Sequence, residues 1–276
     1  MEKTANTSIR IVGILREAFK AYVRKFIPIL AFSALNIFLF RILQLVRPLN
    51  SAETFTLLQA FFSALFFCAW LVVIGVGAFL NILMINYIRA QEKNISFAEA
   101  FDDARTRVIP YLKAWCLQVV VILAYLVPAF IVQTFGRYIY LSQQSAVSPH
   151  IRMAVLLVTS TVFVTLLIAA FWYYFFFSLS PLVNAFENVG ARQALRESRM
   201  RVKGNALRYL GVFLIIVLAY FLIGLAALMI VSFFTQNPFI LRKVDPLLMM
   251  FFIPFGISAW WMSYQRLTEI SKDRHV

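Results

Sequence analysis

Charged residues are scarce in this chain: of its 276 residues, only 14% are Asp, Glu, Lys or Arg. A soluble domain carries roughly 25% charged residues, so the composition excludes an ordinary soluble globular protein. Apolar residues make up 62% of the chain, and several uncharged runs reach the length of about 20 residues that a bilayer crossing needs. We therefore predict an all-α integral membrane protein.

Histidine and cysteine are also rare, with two of each. Cys68 and Cys116 lie in separate apolar runs and form no CxxC pair, so we interpret both as small buried side chains. His150 falls in a predicted outer loop and His275 in the tail, which leaves no histidine for a metal or a nucleophilic site within the membrane. Phosphate-binding glycine motifs are missing as well. We predict no catalytic residue, no metal site, no cofactor and no enzyme activity.

Six apolar runs predict six membrane spans. Their bounds are about 26–46, 55–88, 111–135, 153–186, 207–235 and 246–265. No acidic residue falls inside these bounds, which disfavours a proton relay through the spans. The first 25 residues alternate charged with apolar positions, so we expect no cleaved signal peptide.

Basic residues predict the orientation of the spans. Of the 26 lysines and arginines, twenty lie in the N-terminal segment, the segments after spans 2 and 4, and the tail, against six elsewhere. Because basic connectors stay in the cytoplasm, we predict a multi-pass protein of the bacterial inner membrane with both termini cytoplasmic. The net charge of +14 follows from this bias, and we expect no nucleic-acid partner.

The basic segments repeat. Each has the three- and four-residue apolar spacing of an amphipathic interfacial helix, and Ser96 with Glu99 matches a capping box that opens the second one. The segments align without gaps, so that Ala18, Ala100 and Ala194 share one column. We therefore predict a single membrane domain, 1–276, built from three units of interfacial helix plus two-span hairpin. The units cover about 8–88, 90–186 and 189–265. Each junction between interfacial helix and span carries a predicted hinge, namely Pro28, Pro110 and Gly204.

Two sets of polar residues are candidates for binding. Asn36, Asn81 and Gln118 lie inside predicted spans 1, 2 and 3 and are candidates for a polar cavity. The competing interpretation is that they only form hydrogen bonds between helices. Four cations are candidates for contacts with anionic lipid headgroups on the cytoplasmic or outer surface. They are Arg41, near the outer end of span 1, and the aligned Lys25, Arg107 and Arg201. For Arg41, snorkelling to the interface is the alternative.

Three short stretches carry a family resemblance. They are Gly13–Tyr22 at the start, Ile95–Phe101 before span 3, and Glu187–Arg199 after span 4, followed by Lys203-Gly204. Together they resemble bacterial six-span proteins of the glycerophosphoryl diester phosphodiesterase membrane-domain type. In such proteins the phosphodiesterase activity resides in a separate soluble barrel domain. The resemblance therefore implies a membrane module without that enzyme, and it supplies no site residues.

Two functions remain open at this point. The first is transport or handling of a hydrophobic or lipid-like molecule, with membrane lipids as partners. The second is a membrane scaffold or an accessory subunit of a larger complex, with a membrane protein as its partner. The sequence does not identify a substrate.

Overall fold

The computed structural model describes residues 10–45, 57–93, 96–142, 148–235 and 237–273, which form nine α-helices and contain no strand. The helices are α1 (Ile11–Arg24), α2 (Phe26–Leu45), α3 (Leu57–Lys93), α4 (Phe97–Ser142), α5 (Pro149–Phe177), α6 (Ser180–Glu187), α7 (Ala191–Lys203), α8 (Ala206–Phe234) and α9 (Pro238–Asp273). Some predicted features lie outside the described residues, namely the start of the first unit at residue 8, the span ends at residues 46 and 55, the side chain of Cys68, and His275. The prediction that Cys116 is buried is wrong, because this residue is exposed on α4.

Several helices are long and apolar enough to cross a membrane. Five stretches in the described residues meet this condition, and a sixth is added if α1 and α2, which are bent by 91° about Lys25, form one span. The prediction of an all-helical protein with long apolar helices is confirmed. One helix exceeds its predicted span considerably, since α4 contains 46 residues, roughly twice what a bilayer needs.

The surface of α8 is apolar. Leu207 is 80% exposed, and Phe233 and Phe234 at the other end of the helix are 86% and 80% exposed. In water, exposed apolar surface costs about 25 cal/mol per Å², and soluble monomers rarely show such a surface over a whole helix. Lipid around α8 removes this cost.

The described chain divides into two compact units. The first contains α1, α2, α3, the start of α4 as far as Ile109, α8 and α9. Within it, α9 packs against α1, α2, α3 and α8. Helix α1 buries Ile14, Ala18, Ala21 and Tyr22, positions spaced by four, three and one residues along a single face. Its cations lie on the remaining, exposed face.

The second unit contains α4 from Pro110 onward, together with α5, α6 and α7. Helix α7 packs against α5 and α6 at the two-residue break between them. The hydroxyl of Ser198 donates to the carbonyl of Phe176 at 2.7 Å and accepts from the backbone N–H of Leu179 at 3.2 Å. One side chain thereby satisfies backbone groups that the ends of two helices leave without partners.

The three aligned basic segments bury equivalent positions. In α1, α4 and α7 the aligned Ala18, Ala100 and Ala194 are at most 2% exposed. Four residues further on, one helical turn away, the next aligned positions are also buried. These are Tyr22, Ala104 and Ser198.

Candidate functional site

Asn36 and Asn81 lie at the packed faces of α2 and α3 in the first unit. A Cβ atom added to Gly77 would stand 3.1 Å from the Asn36 Oδ1 atom, so the Asn36 carboxamide rests directly on the backbone of α3. Asn81 follows Gly77 by four residues and therefore lies on the same face of α3. The glycine leaves the space into which the Asn36 side chain projects.

The oxygen atoms of these side chains have no hydrogen-bond partner among the described residues. This holds for the buried Oδ1 atoms of Asn36 and Asn81 and for the Oγ atom of Ser33, one turn before Asn36 on α2. An unpaired buried polar group costs about 1–3 kcal/mol, and within lipid no bulk water offsets that cost. We call these three residues the α2–α3 polar cluster.

Gln118, the third candidate for the cavity, lies in the second unit and has a partner there. Its Nε2 atom donates to the backbone carbonyl of Tyr174 at 3.5 Å, and the residue is 4% exposed. Asn86 also joins two helices, since its Nδ2 atom donates to the carbonyl of Ala100 at 3.2 Å, while its Oδ1 atom has no partner among the described residues. These two amides join helices, which is the packing role that membrane amides often have.

Two of the aligned cations contact side chains of their own unit. The Lys25 ammonium lies 4.8 Å from the centre of the Tyr87 ring, a cation–π distance. The Arg107 Nε atom is 2.7 Å from the Asp103 carboxylate, one helical turn earlier. Both cations are half-buried, so an approaching headgroup competes with an existing partner.

Arg201, the third aligned cation, forms a two-point ion pair. Its Nη1 and Nη2 atoms lie 2.5 and 2.6 Å from the two carboxylate oxygens of Glu187, and Glu197 is 3.9 Å away. The Arg201 side chain is only 8% exposed. Such a fork geometry fixes orientation as well as charge, so Arg201 holds α7 against the end of α6.

Arg41 is exposed on α2, four residues before that helix ends. Its side chain is therefore accessible from outside the protein. Its place at the end of a membrane-crossing helix fits both snorkelling and headgroup contact.

The predicted hinges differ in their local structure. The first junction bends at Lys25, whose backbone ends α1, and Pro28 lies within the first turn of α2. That position is compatible with a helix because an N-terminal N–H has no intrahelical partner. Pro110 lies inside the uninterrupted helix α4. Gly204 ends α7 immediately before the break that precedes α8.

Sequence reasoning missed one polar pair. The hydroxyl of Tyr220, midway along α8, donates a hydrogen bond to the Asp245 carboxylate on α9. The apolar run predicted for span 6 starts at residue 246, whereas α9 starts at Pro238 and the stretch that can cross a membrane starts at Val244. Asp245 is exposed. Hydropathy alone did not predict this pair, because it did not show that helix α9 includes the residues before Pro246.

The parts of the chain that the structure describes contain no metal-binding group of side chains. No three His, Cys, Asp or Glu side chains lie close enough there to hold an ion.

The described residues are those of a helical, multi-pass membrane protein, with long apolar helices that expose apolar side chains. A family model for a domain of unknown function, DUF7847, matches residues 10–263. The chain therefore belongs to the DUF7847 family. No curated protein and no solved structure matches it. The resemblance to glycerophosphoryl diester phosphodiesterase membrane domains stays a prediction.

Proposed function

We propose that this protein is a non-catalytic membrane protein that binds and moves a hydrophobic or lipid-like molecule. The observation that carries this proposal is the α2–α3 polar cluster. Amides that join membrane helices do so by hydrogen bonds, and the Oδ1 atoms of Asn36 and Asn81 accept none among the described residues. Their unpaired oxygens instead offer acceptors to a ligand that carries a hydroxyl or amine donor.

The architecture that we propose for this function has six spans. They are α2, α3, α4, α5 continued by α6, α8 and α9, arranged as three units of amphipathic helix plus hairpin. The equivalent burial of the Ala18, Ala100 and Ala194 column supports this repeat. An even number of crossings leaves both termini and the basic helices on the cytoplasmic side of the bacterial inner membrane, as expected from the positive-inside bias.

Lipid contact at that surface belongs to the same proposal. Arg41, Lys25, Arg107 and Arg201 were the sequence candidates, and the last three have partners within their units. Exposed cations lie on the outer face of α7, and each basic residue near an anionic leaflet contributes about 1 kcal/mol of attraction. The exposed α7 cations are Arg192, Arg196, Arg199 and Lys203.

Flux into liposomes tests the handling function. Purified protein is reconstituted, and the transbilayer movement of a panel of fluorescent phospholipids and apolar amines is measured. We expect Asn36→Leu and Asn81→Leu, which keep the branching at Cγ and remove the acceptors, each to reduce flux at least fivefold. Gln118→Leu removes a packing hydrogen bond and is the control, with flux retained. Equal flux in all three variants and the wild type eliminates the polar cluster as the site.

Asp245 favours the second candidate function, an accessory subunit. The Asp245 carboxylate accepts a hydrogen bond from Tyr220 and is still exposed. An exposed carboxylate near the apolar part of a helix is costly against lipid, and a helix of a partner protein with a second donor would cover it. Purification in a mild detergent distinguishes the two functions. A stoichiometric protein partner that Asp245→Asn releases supports the subunit, whereas copurified lipid without protein supports handling.

A further inference from the structure

A cavity of about 480 Å³ lies within the first unit, between α1 and the ends of α3 and α9. Its volume falls in the range of roughly 300–1,000 Å³ that small-molecule sites occupy. The lining combines both signs of charge, with two cations and one anion from α1 and one of each from α9. These five residues are Glu17, Lys20, Arg24, Arg266 and Glu269.

The α1 side chains reach the cavity together because of their spacing. Glu17, Lys20 and Arg24 are three and four residues apart, so they lie on one face of the helix. Ala21 and Ile88 also line the cavity and are 5% and 3% exposed, which gives it an apolar floor beneath a charged rim.

The charges within the rim are partly matched. Arg266 and Glu269 form an ion pair at 2.9 Å, and both are exposed, so the pair exchanges readily for other partners. Lys20 and Arg24 provide the positive charge that a phosphate needs. Glu17 and Glu269, however, repel a ligand that carries only negative charge. An ammonium group on the same ligand converts this repulsion into attraction.

We propose that this cavity binds a phosphodiester that carries a primary amine, the chemistry of an ethanolamine phospholipid headgroup. Lys20 and Arg24 contact the phosphate, and Glu17 and Glu269 contact the ammonium. The cavity lies beside the end of α1, two residues before α2 begins as a membrane-crossing helix. The neighbouring Val23 and Ile27 are 52% and 78% exposed, and they provide apolar surface for acyl chains.

An ethanolamine headgroup would belong to the lipid-like molecule of the proposed function, so the physiological meaning of the cavity rests on that function. Headgroup binding is tested by an equilibrium measurement without flux, so the two proposals fail separately. If flux is absent but headgroup binding is present, the protein binds lipid without moving it. If flux is present without headgroup binding, the cavity assignment alone is wrong.

Binding is measured on the whole purified protein by native mass spectrometry with short-chain phosphatidylethanolamine and phosphatidylglycerol. We expect at least a tenfold preference for the ethanolamine lipid. Lys20→Ala should weaken binding of both lipids, because the phosphate loses a cation. Glu17→Gln should weaken binding of the ethanolamine lipid and strengthen binding of the glycerol lipid, so that the preference for the ethanolamine lipid falls severalfold.

Matched controls remove the same charges outside the cavity. Arg16→Ala adjoins Glu17 on α1, and Asp102→Asn lies on α4; both residues are exposed, and neither variant should change the preference. Glycerophosphoethanolamine, which has no acyl chains, separates the two sources of this chemistry. Tighter binding of the lipid identifies a membrane ligand, and equal binding identifies a soluble phosphoamine. Equal binding of the two lipids to the wild type, or no change in Glu17→Gln, would overturn the proposal.

Discussion

At the scale of single residues, Arg201 shows how a cation can resemble a lipid-binding residue in sequence and pair internally in the fold. Its position in a basic segment, predicted to lie at the membrane surface, predicted contact with lipid headgroups. Glu187, its partner, lies fourteen residues earlier and beyond the turn between α6 and α7. A pairing that depends on the path of a turn leaves no periodic signal in the sequence.

Removing Arg201 should destabilise the second unit. Arg201→Ala removes the two-point ion pair with Glu187, and we expect the free energy of unfolding to fall by about 2 kcal/mol. This is less than the roughly 3–5 kcal/mol of a fully buried pair, because Glu187 is 27% exposed. Arg201→Lys keeps the charge and loses the fork geometry, so its stability should be intermediate. Thermal unfolding in detergent measures this order.

Arg199→Ala is the control for this series. Arg199 is exposed on the same helix, and surface substitutions usually change stability by less than about 0.5 kcal/mol. If Arg201→Ala unfolds at the same temperature as Arg199→Ala, the ion pair does not hold α7 in place.

Gly77 gives a second prediction at this scale. Alanine is favoured over glycine in a helix by about 1 kcal/mol, but at Gly77 the new methyl group would press on the Asn36 carboxamide. Nothing lies within 4 Å of a Cβ at Gly75, two residues earlier on α3. We therefore expect Gly75→Ala to be neutral or stabilising and Gly77→Ala to be destabilising.

A double-mutant cycle identifies the cause of the Gly77 effect. Asn36→Ala removes the carboxamide, so Gly77→Ala should cost less in that background, and the coupling is read from thermal unfolding of the four proteins. Independent, additive effects would show that Asn36 does not rest on Gly77.

At the scale of elements, hydropathy and capping signals located most helices. The predicted runs 26–46 and 207–235 correspond closely to α2, Phe26–Leu45, and α8, Ala206–Phe234. The capping box at Ser96 is confirmed, because Glu99 N–H donates to the Ser96 hydroxyl and Ser96 N–H donates to the Glu99 carboxylate at 2.7 Å. Local side-chain chemistry determines such features.

The junctions between elements were less predictable. Proline interrupts one helical hydrogen bond, yet α4 continues through Pro110, whereas the first junction bends by 91° at Lys25. Aromatic packing accompanies that bend, with Phe26 stacked on Phe251 of α9 at 6.1 Å between ring centres. A bend that depends on a helix more than 200 positions away is not visible locally.

The capping box should make the start of α4 sensitive to acid. The Ser96 backbone N–H, and then its hydroxyl, hold the pKa of Glu99 below its ordinary value of 4.5. A lowered pKa stabilises the folded state above the ordinary pKa, and this stabilisation is lost as the pH falls through the folded pKa. We expect Ser96→Ala to raise the Glu99 pKa, because the carboxylate keeps the backbone N–H of residue 96 and loses the hydroxyl donor.

Carbon-13 NMR of the labelled Glu99 carboxyl group, titrated in detergent, measures this pKa directly. Thr106→Ala, on the same helix and outside the cap, is the control and should leave the titration unchanged. A Glu99 pKa that is the same with and without the Ser96 hydroxyl would show that the hydroxyl does not stabilise the carboxylate.

At the scale of the whole molecule, the composition alone predicted a helical membrane protein. Apolar side chains are unfavourable in water, and the long helices carry them where lipid can surround them. The α2–α3 polar cluster was only partly predictable. The sequence identified Asn36, Asn81 and Gln118 alike as amides within the spans. Gln118 forms a hydrogen bond to a neighbouring helix, whereas the Oδ1 atoms of Asn36 and Asn81 have no partner among the described residues. Only the packing of the helices shows this difference.

The proposed function requires six crossings that leave both termini and all basic helices on one side of the membrane. Single cysteines are introduced after Cys68→Ala and Cys116→Ala, at Ser96 and Gly190 on the predicted cytoplasmic side and at Ser148 and Asn237 on the outer side. Labelling of spheroplasts with a membrane-impermeant maleimide then reports the side of each position.

We predict that Ser148→Cys and Asn237→Cys are labelled in intact spheroplasts, and that Ser96→Cys and Gly190→Cys are labelled only after permeabilisation. Labelling of Gly190→Cys in intact spheroplasts, or identical labelling of Ser96→Cys and Ser148→Cys, would contradict the six-span arrangement.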